Sequence, residues 1–171
     1  WGRKNWFANA AAEHMAIREG CGISDMSSFG KIRVEGPDAE AFLNRMTGAD
    51  VAVAPGRIVY AQLLNAAAGI EADVTITRLS ETAYLVVTPA ATRRADQTWL
   101  QRHVGEARVV LTDVTPAEAV IAVMGPKARA LMASVSPEDL SEAAHPFGSA
   151  REIEIGMGLA RVHRVSYVGE H

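Results

Sequence analysis

Asn65-Ala66-Ala67-Ala68-Gly69-Ile70-Glu71-Ala72-Asp73-Val74-Thr75-Ile76 places a small-residue turn between two apolar runs, Ile58 to Leu64 and Val74 to Thr77. Apolar runs of this length on either side of a Gly-containing turn predict a β-hairpin. Two carboxylates, Glu71 and Asp73, follow the turn directly. In an extended chain residues two apart point to one face, so both should stand on the same side of the second strand. A strand with two acids on one face either shows that face to water or aims it at a ligand, and ordinary solvation is the commoner case.

The elements on either side of the hairpin extend the same pattern. Phe7 to Glu19 is Ala-rich, lacks Pro and Gly, and stops at Gly20 and Gly22, which predicts a helix. Ile23 to Phe29 carries Ser24, Asp25, Ser27 and Ser28 and reads as a polar loop. Lys31 to Glu35 alternates as a half-buried strand should, and Gly36-Pro37-Asp38 breaks it and opens a helix. In that helix Ala39, Phe42, Leu43 and Met46 fall on one buried stripe. Beyond the hairpin, Ala83 to Val87 reads as a central strand. A helix over Ala90 to Val104 follows, with Ala91, Ala95 and Trp99 on one face, Thr88 available as a cap and Pro89 at its start.

Arg108 to Leu111 and Ala119 to Met124 are two further strands. Gly125-Pro126 then leads from a strand into a helix, as Gly36-Pro37 does, a weak internal strand–helix duplication. Pro137 to Phe147 is a polar connection, and Glu152 to Ile155 and Gly158 to Val168 are the last two strands. Tight turns between strands, with helices inserted between groups, predict an α+β fold with antiparallel sheets and packed helices.

Composition narrows the function classes. The 171 residues are 49% hydrophobic and 22% charged, with net charge −3, enough apolar material for one large or two small cores. That slight acidity argues against nucleic acid as the partner. The single cysteine, Cys21, excludes an internal disulfide framework, and the five histidines have no metal-ligand spacing, so no metal site is expected. No apolar run approaches the roughly 20 residues of a membrane span. Gly156-Met157-Gly158 has Arg161 at the third glycine position and strand signals after it, so it is a turn and not a dinucleotide fingerprint. No P-loop and no nucleophile elbow is present.

Beyond residue chemistry, the order of local patterns resembles the folate-binding aminomethyltransferase family, which includes the glycine-cleavage T-protein. The likeness rests on Glu13-His14 through Arg18, Gly22 to Ser27, Gly36 to Ala39 with Phe42-Leu43, and Tyr60 with Leu64-Asn65 and Gly69 to Asp73. It continues through Tyr84 to Val87, Asp96, Trp99-Leu100, Gly125-Pro126, and Arg164 with Tyr167 to Glu170. The Gly-Ile-Glu-x-Asp form and Asn5-Trp6-Phe7 look more like the C-terminal folate domain of dimethylglycine and sarcosine dehydrogenases. T-proteins usually have two adjacent acids after the glycines; here Ala72 takes the first place and Asp73 the second, while Ala68-Gly69 replaces a glycine pair.

The resemblance implies a tetrahydrofolate-binding domain that accepts a one-carbon unit from an N-methyl amine-derived iminium, giving 5,10-methylene-tetrahydrofolate. Asp73 is then the expected catalytic carboxylate, with Glu71 second. Folate is expected against Tyr60, Tyr84, Val86, Val87, Arg164, Tyr167 and Glu170, the last meeting the pterin edge in a two-point contact. FAD is expected only in an upstream flavin domain of the same protein, with a methylated amine as the small-molecule partner. The resemblance makes residues 1–171 a partial domain, truncated at both ends and lacking the family's C-terminal barrel, with a division at 115/116. It implies a cytoplasmic protein (mitochondrial matrix if eukaryotic), little activity for the fragment alone, and no nucleic-acid or membrane partner. Two other readings stay open: a T-protein or folate-dependent demethylase fragment without flavin, and a non-catalytic folate-binding or regulatory module.

Overall fold

The computed structural model describes residues 2–166. Along the chain run α1 (Phe7–Glu19), β1 (Gly22–Asp25), β2 (Gly30–Glu35), α2 (Ala39–Met46), β3 (Ile58–Leu64), β4 (Ile70–Ser80) and β5 (Ala83–Thr88). They are followed by α3 (Arg93–Arg102), β6 (Val110–Asp113), β7 (Ile121–Met124), α4 (Ala128–Ala133), β8 (Ser149–Ile155) and β9 (Gly158–Arg164). All described pairings between the first seven strands are antiparallel, as expected from the tight turns.

The chain divides into two compact units. Among the described residues one comprises 26–120 with 148–150, the other 2–25, 121–147 and 151–166. The division expected at 115/116 therefore falls at 120/121, and the first 25 residues group with the later part of the chain. The cause is the pairing of β1 with β7, Ile23 opposite Val123 and Asp25 opposite Ile121. The first part of the stretch Ile23 to Phe29, read as a polar loop, thus belongs to a strand; its partner lies about a hundred residues away, beyond the reach of any local pattern.

In the larger unit a five-stranded sheet has the order β3-β4-β5-β2-β6, with β5 in the middle. One face carries the core. Ala61, Leu63, Val74, Ile76, Tyr84, Val86, Ile32 and Val34 pack with the α2 stripe of Ala39, Phe42, Leu43 and Met46, all at most 4% exposed. The periodicity of α2 is therefore as its sequence indicates. That of α3 is not: Ala95 is exposed and the buried residues are Asp96 and Leu100. Asp96 is stable in the interior because the Thr88 and Thr92 hydroxyls both donate to its Oδ2, the Thr92 bond at 2.8 Å.

Arg78 ties the end of β4 to the loop before β3. Its guanidinium donates to the carbonyls of Val53 (2.8 Å), Ser80 (3.2 Å) and Glu81 (3.1 Å), pairs with Glu40 at 2.8 Å and lies over the Tyr84 ring. The side chain is only 10% exposed, so its loss leaves several oxygens without a donor. Arg78→Leu should destabilise the fold by about 2–3 kcal/mol, read as a lower urea midpoint. Arg78→Lys should not restore it, because an ammonium cannot span the same fork of acceptors.

The smaller unit contains α1, the β1–β7 pair, α4, β8 from Arg151 onward, and β9. No α1 residue is fully buried. Here burial, reinforced by the neighbouring Arg161 and His145 charges, pushes the His163 imidazole down to about 4. Below the ordinary value of 6.5 an unfolded chain takes up a proton that the folded His163 refuses. His163 therefore leaves stability undiminished above pH 6.5, lowers it as the pH drops towards 4, and adds no further loss below that. A pH series of urea midpoints checks this, and His163→Gln should flatten that fall.

The Gly-Pro device occurs once in each unit, as the duplication in the sequence anticipates. Gly36 (φ 144°) ends β2 and Gly125 (φ 112°) ends β7, each leading through Pro into a helix. Both have backbone pressed against the α-carbon: a methyl group would lie 2.1 Å from the Arg108 carbonyl oxygen at Gly36, and 2.4 Å from that of Ile17 at Gly125.

Candidate functional site

The β3–β4 hairpin forms as its sequence indicates, and Asn65 builds its turn. The Asn65 Oδ1 accepts the Ala67 and Gly69 amides at 3.0 and 2.9 Å, while the backbone amide of Ala68 donates to the Asn65 carbonyl. Ala68 adopts φ 59°, the left-handed region that glycine enters more easily. Past the turn Leu64 pairs with Ile70 but Leu63 with Ala72, so Glu71 is the extra residue of a bulge.

The two carboxylates alternate with buried Ala72 and are themselves exposed. Position 72 faces the core opposite Leu63, which leaves Glu71 and Asp73 as the acids on the outer face. The structure distinguishes them. Glu71 accepts the Asn65 side-chain amide at 2.7 Å and so belongs to the turn. Asp73 accepts the Tyr60 hydroxyl at 2.8 Å and the Gln62 amide at 3.1 Å, both on Oδ1. Its Oδ2 has no partner among the described residues.

The residues expected around folate separate by strand face. Tyr60 and Val87 lie on the face of Asp73, because Tyr60 pairs with Thr75 and Thr75 with Val87. Tyr60 is 64% exposed and Val87 half-buried. Tyr84 and Val86 point the other way and are core residues, each 0% exposed. The Tyr84 hydroxyl makes only long bonds, 3.5 Å to Glu40 and 3.4 Å to the Val51 carbonyl, and burial pushes it up to about 12. Arg164 stands in the smaller unit with its guanidinium engaged by the His145 carbonyl (2.8 Å) and Glu142 (2.5 Å). It is an internal tie and not an open donor. Tyr167 and Glu170 lie outside the described residues.

Gln62 was not among the residues singled out in the sequence. Regular pairing back from a turn at 65–69 would put Gln62 opposite Ala72; the bulge at Glu71 moves it opposite Asp73, so local pattern gives no signal for it. A groove of about 390 Å³ lies between the end of α2, the hairpin turn and α3, with Arg45, Asn65, Trp99 and His103 in its wall. None of the expected site residues among those described lines it. Among the described residues no group of three His, Cys, Asp or Glu side chains could hold a metal ion, and no helix is long and apolar enough to cross a membrane.

An antiparallel α+β unit with an acidic hairpin on its open face defines a class, and comparison with known proteins gives that class its name. The chain belongs to the GCVT N-terminal domain family, whose description matches residues 1–171. It is 44% identical over 170 residues to a 4-methylaminobutanoate oxidase (formaldehyde-forming) of Paenarthrobacter nicotinovorans, covering 99% of this chain and 21% of that protein. It is 33% identical to an aminomethyltransferase of Geobacillus thermodenitrificans, over 99% of this chain and 46% of that protein. Among solved structures, the glycine cleavage system aminomethyltransferase T of Bartonella henselae superposes with a TM-score of 0.75 at 29% identity, covering 93% of this chain and 42% of that one. The heterotetrameric sarcosine oxidase of Corynebacterium sp. U-96 shares the fold, with a TM-score of 0.67 at 18% identity over 95% of this chain and 81% of that one. The chain thus spans less than half the length of these two curated relatives.

Proposed function

We propose that this chain is the folate-side domain of a larger amine-demethylating enzyme, in which it accepts a one-carbon unit released from an N-methyl amine. The observation that carries the reading is Asp73: an exposed carboxylate on the hairpin face, fixed through one oxygen and open at the other, beside the exposed Tyr60 ring. The relatives support it from two sides, an oxidase whose name specifies a methylated amine and transferases whose name specifies an aminomethyl group.

These residues fit a folate. A flat ring can lie against Tyr60, Val87 offers apolar surface on the same face, and Asp73 Oδ2 can accept a proton from a ring or bridging nitrogen. Tetrahydrofolate, when bound, supplies the nucleophilic nitrogen that takes up the one-carbon unit. The protein's own part is to hold a negative charge next to a cationic carbon and to remove a proton as the amine leaves. Positioned help of this kind contributes about 10²–10⁴ in rate. Asp73 performs it in this reading, while Glu71, held by Asn65, maintains the turn. The substrate class is a secondary or tertiary N-methyl amine, oxidised by a flavin domain elsewhere in the same protein.

The test uses the full-length protein that contains this chain, with 4-methylaminobutanoate, dimethylglycine and sarcosine as probes. Free formaldehyde is measured with and without tetrahydrofolate. Formaldehyde should fall as folate takes up the carbon, and calorimetry should show folate binding. Formaldehyde release that folate leaves unchanged, with no heat of binding, would overturn the proposal. A second reading, transfer without flavin as in the aminomethyltransferases at 33% identity, predicts no amine oxidation by the full-length protein but the same requirement for Asp73.

A further inference from the structure

We propose that Gln62 is a positioning residue for Asp73, forming with Tyr60 a two-donor clamp that keeps one carboxylate oxygen outward for proton transfer. The inference rests on the reading of Asp73 given above and adds a residue and a device to it.

The clamp follows from strand geometry. Gln62 lies directly opposite Asp73, and Tyr60, two residues away on the same face, reaches diagonally to it. Both donors meet on one atom, Oδ1, at 3.1 and 2.8 Å. A carboxylate on an exposed strand otherwise turns freely about its last bond, a broad and nearly two-fold torsion. Two donors from one side remove that freedom and leave Oδ2 directed away from β3.

The arrangement also survives the proton cycle. If the donors were divided between the two oxygens, a proton arriving on the carboxyl would compete with one of them. With both on Oδ1, an O–H can form on Oδ2 while Tyr60 and Gln62 keep their acceptor. When Oδ2 gives up its proton, the carboxylate returns to the same orientation. The clamp therefore stabilises a geometry in both protonation states, as a base that must turn over requires.

Gln62 is the firmer of the two donors. The Tyr60 side chain is largely exposed, whereas Gln62 is half-buried and its backbone carbonyl accepts the Gly48 amide at 3.1 Å. Next to it Leu63 is buried and forms a bridge with Thr47. The strand is thus pinned at position 62 from β4 on one side and from the end of α2 on the other.

The test compares Gln62→Met, which keeps length and removes the donor, with Gln62→Glu, which sets a charge against Asp73. Each is made in the full-length protein, alone and together with Asp73→Asn. For transfer to tetrahydrofolate, Gln62→Met should lower kcat about three- to tenfold with KM for folate changed less than about twofold, as expected for loss of one hydrogen bond to a charged, partly solvated group. Gln62→Glu should lower it further. In the Asp73→Asn background Gln62→Met should have no further effect, since its partner's function is already gone.

Unchanged kcat in Gln62→Met overturns the proposal, as does an equal fall in both backgrounds or a change confined to KM. Those results leave the folate reading intact. If Asp73→Asn itself has no effect and folate does not take up the carbon, both proposals fail together.

Discussion

Asp73→Asn in the full-length protein is expected to lower one-carbon transfer to tetrahydrofolate by about 10²–10⁴ while leaving the fold unchanged. Stability is spared because Asp73 is exposed and its partners, the Tyr60 hydroxyl and Gln62 amide, can still donate to the amide oxygen of Asn. Activity is lost because an amide nitrogen in place of Oδ2 carries protons and no negative charge, so it can neither accept a proton nor offset a cationic carbon. Amine oxidation, which the proposal assigns to another domain, should continue, and the stranded carbon should then appear as free formaldehyde. The measurement is single-turnover transfer together with formaldehyde release, with a urea melt as the folding control. Unchanged transfer would move the role to Glu71, whose carboxylate is held by Asn65 at 2.7 Å.

Gly36→Ala is expected to cost about 4 kcal/mol or more, enough to remove much of the stability of an ordinary domain. Two terms add. At φ 144° an L side chain is strained whatever surrounds it. The added methyl would also lie 2.1 Å from the Arg108 carbonyl oxygen and 3.0 Å from the Val109 α-carbon, both backbone atoms. Relief requires moving residues 108–109 outward, which disturbs the bond from Arg108 to Asp38 and the pairing of β6 with β2. The expected readout is poor soluble yield or a urea midpoint far below that of the parent chain. A melt within about 1 kcal/mol of the parent would show that the close approach at Gly36 is dispensable.

What was legible in the sequence follows a physical rule: local periodicity reports elements whose partners are close along the chain. The hairpin could be read because its turn and both strands lie within one short stretch, and α2 because its stripe of Ala39, Phe42, Leu43 and Met46 is a property of one helix. The exposed acids at 71 and 73 follow from alternation, with Ala72 turned into the core between them. The resemblance to a family could also be read, since it rests on the order of motifs along the chain.

Other features depended on which residues meet across the fold. Residues 22–25 become a strand because residues 121–124 pair with them. The buried face of α3 is set by the Thr88 and Thr92 hydroxyls, which make Asp96 an interior residue. Alternation alone indicates that Tyr84 and Val86 share a face that Val87 does not. Only the register of β4 against β5 shows that the first two face the core while Val87 shares the face of Asp73. The tie of Arg164 to Glu142 and the paired donors of Tyr60 and Gln62 on one oxygen of Asp73 are likewise contacts between separate elements.

By itself, then, the sequence determined the hairpin, its two acids and the family, because each is written in neighbouring residues or in their order. Tertiary structure decided which acid is the turn's and which stands open, which tyrosine lies on the open face, and that Gln62 belongs beside Asp73. Those outcomes turn on the register set by the bulge at Glu71 and on side-chain hydrogen bonds across the strands, neither of which alternation along the chain encodes.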